Sequence, residues 1–414
     1  MQVIEVKCDM KPSATGRDIS RWTVLAVFMC IIGLNQFLWL NFASIATTVQ
    51  ARLHISLFQL GLLTSIFPAM NILLALPVGT LLDTRGFRFT VSLGAVIMGI
   101  SVLLRFNYHA YAWLLAGQFG IAVAQPLILN SVSKFSSTWF ERDKGAIANG
   151  LGSMAMFLGM IAALIITPRL VAAEGLGFML LLYAVVTCSG SLLFLLLGRD
   201  NPERSAALRK ESRAYGGITA YREVTGIKDM LLLIAIMFIG LGFFNGLMTW
   251  MGLLLSHNGF TPVQSGTVGA VIIGGGMIGA VVMPVLSNAV RRRKPFLVMA
   301  TLAGGIFVYP FLTTRSMTAA TVYGAMIGFF IISLLPIVLQ ITTELVGERL
   351  TGTATGLLLL AGSIGAVTVI YLMEFINERS HSVRPTLWLL SGLFAAALLL
   401  SLLIRETYPR NEHP

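Results

Sequence analysis

Residues 77–88 read PVGTLLDTRGFR, and residues 284–295, 207 positions later, read PVLSNAVRRRKP. Each opens on Pro-Val, follows an apolar run and ends in basic residues, although the acid of the first copy is missing from the second. A second pair keeps the same offset: WFERDKGAIANG (139–150) and VGERLTGTATG (346–356), which set Glu141-Arg142 against Glu348-Arg349 and Gly145 against Gly352. In a chain of 414 residues a shared offset of half the length predicts two related halves.

What the halves are made of follows from composition. With 56% hydrophobic and 11% charged residues, the chain has less than half the charge of a typical soluble globule, about a quarter, and is expected in a bilayer. Runs of some 20 apolar residues, the length a helix needs to cross about 30 Å of hydrocarbon, recur twelve times between 22–48 and 386–404. They are continuously apolar and lack the alternation of barrel strands. The predicted fold is an all-α polytopic membrane protein with 12 transmembrane helices in two pseudo-symmetric six-helix halves. Its parts are a cytoplasmic N-terminal segment (1–21), a first bundle (22–198), a cytoplasmic linker (199–229), a second bundle (230–404) and a cytoplasmic tail (405–414). The linker's ITAYREVTGIK reads equally as a surface helix or a solvated tether.

Basic residues set the orientation. Of 29 Lys and Arg, 23 fall in the termini and the loops near 85, 142, 213, 292 and 349, and 6 on the other side. That excess predicts both termini in the cytoplasm. The polar prefix holds no cleavable signal, and the pattern suits a bacterial inner membrane. A net charge of +11 then reflects topology and anionic lipid rather than nucleic acid. Cys8, Cys30 and Cys188 suggest neither a disulfide framework nor a metal pair, and no metal or cofactor is expected.

The loop motif carries a resemblance. G-x-x-x-D-x-x-G-x-R, here Gly79, Asp83, Gly86 and Arg88, with its weakened second copy, resembles the signature loop of the major facilitator superfamily. Gly86 suits a tight reversal, and Asp83 suits the positive end of another helix. The resemblance implies that this partner is the eleventh helix, near Thr351 to Ala354. Asp83, Arg85, Arg88, Arg142 and Glu344 then form a gating cluster that breaks when the halves rock apart. More narrowly, LNQFLWLNFASIA (34–46), LLDTRGFR (81–88), GQFGIAVAQPLIL (117–129) and STWF (137–140) resemble transporters related to the feline leukaemia virus subgroup C receptor, a family associated with choline, ethanolamine and, earlier, haem. Second-half anchors are TGTATGLL (351–358) and Glu344.

In a two-halved carrier the substrate lies near mid-depth between the halves. The candidates are Asn35, Trp39 and Phe42 on one face of the first helix, Gln118 and Gln125 on the fourth, and Phe244 and Asn245 on the seventh. Ser333, Gln340 and Ser363 extend the set. Trp39 suits a quaternary ammonium through cation–π attraction, about 2 kcal/mol when dry; the resemblance implies that role, and a lining role for Gln125. It departs at Asn245, where an aromatic residue is expected, and at Ser363, where a glutamine is expected.

No acid stands at the centre of a span, Glu344 and Glu374 being nearest, and Lys134 and Arg105 lie within about two turns of a boundary. An uncharged chamber handles organic anions poorly and lacks the carboxylate of proton-driven carriers. The expected function is facilitated movement of a small cationic, zwitterionic or neutral molecule, such as a choline-like compound, by a monomer. Alternatives are a proton-coupled carrier of an amphipathic metabolite or drug, and a non-transporting membrane sensor or receptor. His54, His109, His257, His381 and His413 fall outside the spans, with no HExxH or GxSxG constellation, so an enzyme is not expected.

Overall fold

A computed structural model describes residues 21–140, 142–201, 218–380 and 384–408; most of the N-terminal segment, much of the linker and the end of the tail lie outside it. The described residues are almost entirely helical. In the first half, α1 is Arg21–Ser44, α2 Leu57–Arg85, α3 Phe87–Leu104 and α4 Tyr111–Leu129, which continues as Ser131–Trp139. A 56-residue helical stretch, Arg142–Leu197, is broken at Gly175 into α5 (142–174) and α6 (176–197). The second half comprises α7 (Lys228–Ser256), α8 (Pro262–Val290) and α9 (Lys294–Thr313). Met317–Ser380 is broken at Gly347 into α10 (317–346) and α11 (348–380), and α12 is Arg384–Leu403. With the Gly175 break counted, the long apolar helices amount to twelve crossings.

Three reversals are made by one glycine each. Gly86, Gly175 and Gly347 have φ of 86°, 84° and 72° and ψ of 177°, 172° and 169°, a region that a Cβ all but forbids. Gly86 is the tight turn expected of the loop motif, helix ending at Arg85 and restarting at Phe87. In the second copy the turn is longer, and Arg291 itself adopts φ 56°.

The duplication visible in the sequence is visible in the packing. α1 meets α5 where Gly33 and Gly159 bring backbones together, and α7 meets α11 through Gly242 and Gly365. Small residues at these crossings allow close approach, the main source of helix affinity inside lipid. Gly275, Gly276 and Gly279 serve α8 the same way against α10. The second helix of each half also starts alike. Ser56 and Gln59 form a reciprocal capping box on α2, and Thr261 and Gln264 repeat it on α8.

Of the two readings of the linker, the helix is present: Ile218–Thr225 is helical, with Val224 fully buried in a cluster that includes Met230, Ile341 and Leu350. At the same end of the molecule, Arg293 pairs with Glu344 at 2.9 Å. Thr407 donates to Glu344 at 2.7 Å, and Glu406 accepts from the amides of Arg293 and Lys294, so the tail is tied to the start of α9.

Candidate functional site

Trp39 lies near the C-terminal end of α1, 7% exposed, with its indole N–H unpartnered. Its ring is 6.3 Å from that of Phe67 on α2. One turn further along α2, Asn71 donates its amide to the Ser363 hydroxyl of α11 at 3.1 Å, and Ser363 donates its own proton to Leu359 O at 2.9 Å. Helix α2 thus joins Trp39 to Ser363 across the two halves. The sequence reading used α2 only for its loop motif and missed Phe67 and Asn71. The signal was an amide in an otherwise apolar stretch, FPAMNILLAL, at i+4 from an aromatic residue.

Gln125 on α4 is 9% exposed, and among the described residues its amide makes no hydrogen bond. Phe244 and Asn245 on α7 are half-buried, with the Asn245 amide spent on Leu241 O of its own helix at 2.8 Å. Ser333 and Gln340 lie on α10, Ser333 bonding back to Phe330 O and Gln340 holding a buried, unpartnered Oε1.

Asn35 and Phe42 face the interior of the first half. Asn35 is fully buried and donates to Ile121 O of α4 at 3.4 Å, while Gln36 donates to its oxygen. Phe42 lies 5.0 Å beneath the Arg105 guanidinium. Here the expectation about Arg105 needs correction. It stands at the end of α3, near a boundary by residue count, yet its side chain is 0% exposed. The guanidinium reaches back between helices to donate to Gln118 Oε1 and to Leu38 O of α1. Gly117 makes the room, since a Cβ there would stand 2.7 Å from Arg105 Cγ. Every one of these partners belongs to the first half. The charge is therefore walled off within one bundle rather than placed between the two, and Gln118 is committed to holding it.

Contacts between the halves gather at the end of the molecule away from the basic loops. Three hydrogen bonds cross among the described residues: Asn71–Ser363, Ser65–Tyr371 at 3.0 Å and Arg169–Thr267 at 3.5 Å. Phe58 lies 5.5 Å from Tyr371. Gly61 of α2 faces the Trp250 ring, Gly252 of α7 faces Ala43 O, and Gly266 of α8 faces Leu164 O. Trp250 is fixed by its N–H to Ile370 O at 3.0 Å. Glu374, near the end of α11, is 6% exposed with Oε2 unpartnered, and Gly61 of α2 lies against that oxygen.

At the basic end the picture reverses. Gly79, Gly150, Gly352 and Gly356 have nothing within 4 Å of where a Cβ would stand. Asp83 does not meet α11. It pairs at 3.0 Å with Lys134 of its own half and is 52% exposed. Arg85 lies over Phe89, Arg88 is exposed, and the Arg142 side chain lies outside the described residues. Glu344, as described above, pairs within the second half. Among the described residues, Asp83 and Glu344 thus each pair within their own half and neither bond crosses between the halves. Among the described residues no group of His, Cys, Asp and Glu is placed to hold a metal.

Comparison with known proteins agrees with this architecture. The chain is 26% identical to solute carrier family 49 member A3 of Xenopus tropicalis, over 88% of this chain and 80% of that one. It is 22% identical to the choline/ethanolamine transporter flvcr2a of Danio rerio, over 95% and 89%. A solved bacterial homologue of the human lysosomal transporter Spinster, inward-facing and unoccupied, superposes with a TM-score of 0.73 at 18% identity, over 94% of this chain and 95% of that one. The likeness to that structure speaks for the fold alone. The Major Facilitator Superfamily model matches residues 25–370; the chain belongs to that superfamily and is a multi-pass membrane transporter of a small molecule.

Proposed function

We propose that this transporter moves a small cationic, zwitterionic or neutral organic molecule of the choline type by facilitated alternating access, as a monomer without catalytic activity and without a nucleic-acid partner. It works in a cell inner membrane with both termini cytoplasmic, its bundles spanning 22–198 and 230–404. The observation that carries the reading is the asymmetry of contact: the halves touch at one end and stand apart at the other, as a carrier does in one of its two end states. On the charge count the open end is the cytoplasmic one.

Trp39, Gln125 and Ser363 form the core of the site, with Phe244 and Asn245 opposite on α7 and Asn35 and Phe42 backing Trp39 from within the first half. An aromatic face beside a free amide suits an organic ammonium, and the Danio rerio relative is named for choline and ethanolamine. Asp83, Arg85, Arg88 and Arg142 re-form a latch with α11 in the opposite end state, while Glu344 holds the second half's own basic end together. Uptake of labelled choline, ethanolamine, betaine, carnitine, an organic anion and a cationic dye into proteoliposomes tests the reading. Equilibration of an ammonium compound without accumulation under a pH gradient is expected, with Trp39→Ala reducing it at least tenfold. Normal uptake by Trp39→Ala refutes the site.

A second reading is favoured by Glu374. A carboxyl closed between the halves with an unpartnered oxygen is a place for a carried proton. Under that reading a pH gradient drives accumulation and Glu374→Gln abolishes the drive while equilibration persists.

A further inference from the structure

The hydrogen bond between Asn71 and Ser363 has an unspent half. Ser363 gives its only proton to Leu359 O, so the atom Asn71 turns toward it is a donor, which fixes the amide's orientation. The Asn71 carbonyl oxygen then faces the other way, and among the described residues it accepts nothing. Asn71 is half-buried, whereas Phe67, one turn before it, is fully buried against Trp39. Residues at i and i+4 share a helix face and stand about 6 Å apart along the axis. An open acceptor therefore lies about one helical turn from the aromatic wall, on a helix that touches both halves.

We propose that Asn71 is a specificity-determining residue: its carbonyl accepts a hydrogen bond from a hydroxyl or N–H donor of the substrate while the ammonium body rests against Trp39. The carried molecule is then a short amino alcohol or its N-methylated form rather than any small cation. An ammonium compound without the donor leaves this acceptor dry and unpaired once the cavity closes, the situation in which polar sites discriminate most strongly. Ser363 contributes indirectly, holding the amide with its oxygen outward.

This inference rests on the carrier reading, and the test separates the two. Wild-type protein in proteoliposomes is assayed for uptake of labelled choline against unlabelled choline, O-methylcholine and ethyltrimethylammonium as competitors; the last two keep the cation and lack the donor. Choline is expected to compete at least tenfold better than either. Asn71→Leu should bring all three within about twofold, by weakening choline alone. Leu73→Ala, two residues along α2 on the opposite side and 64% exposed, should keep the preference and shows that a change at this level is tolerated. If Asn71→Leu transports and still prefers choline tenfold, the inference fails and the carrier stands. If the wild type shows no preference, it fails likewise. If no cation in the panel crosses, both fail.

Discussion

Adding one methyl group at Gly252 should tilt the carrier away from the state described here. A Cβ at this position of α7 would stand 2.9 Å from Ala43 O of α1, about half an ångström inside ordinary carbon–oxygen contact. Both partners are backbone on helices of opposite halves, so no side chain can swing aside. Overpacking of this kind costs about 1–3 kcal/mol, and only while the two halves touch. At about 1.4 kcal/mol per factor of ten, Gly252→Ala shifts the balance toward the state open at that end by roughly 5- to 150-fold. Spin labels on Arg52, exposed in the last turn of the short helix Ala46–Leu53, and on Arg315, exposed in the loop before α10, would read it as a longer distance in a background with Cys8, Cys30 and Cys188 replaced. Gly274→Ala is the control, because a Cβ there meets nothing within 4 Å. An unchanged distance distribution in Gly252→Ala would refute the reasoning.

Other substitutions test separate parts of the structure. Gln118→Ala strands the buried Arg105 and should cost about 1.5–3 kcal/mol, seen as a lower melting temperature in detergent; an unchanged value contradicts the buried pairing. Asp83→Asn should leave stability within about 1 kcal/mol, since its partner bond is largely exposed, while cutting transport severalfold through the opposite end state; equal effects on both would argue against a latch. Glu344→Ala releases Arg293 and Thr407, so trypsin should cut after Arg405 several times faster than in the wild type, and unaltered cleavage would show that the tail is held otherwise. Gly347→Ala places a Cβ in a region costing about 1–3 kcal/mol and should lower the melting temperature where Gly352→Ala does not.

Much of the architecture was legible in the sequence. Continuous apolar runs fixed the number of crossings, and the 207-residue offset located the duplication that Gly33–Gly159 and Gly242–Gly365 repeat in space. Gly86 announced its own turn. Side-chain direction was harder to read. Arg105 sits near a helix end, but a long guanidinium stem covers more than a turn, and nothing in its position says whether it reaches toward water or back toward Leu38 O. Asn35, Trp39 and Phe42 share the periodicity of one face, yet Asn35 bonds to α4 and Trp39 packs on α2, because three helices surround that face. Asn71 escaped notice since its value comes from Ser363, 292 residues away, and from a proton committed to Leu359 O.

The single-glycine turns bear on how the chain enters its membrane. With one residue between Arg85 and Phe87, and likewise at Gly175 and Gly347, six of the twelve helices emerge from the ribosome as three pairs without an aqueous tether. With so short a turn, the second helix of each pair begins at the bilayer edge where the first ends, so the two helices are neighbours from the moment they enter. Insertion must therefore proceed hairpin by hairpin at these places, and the glycines shape biogenesis as much as the finished fold.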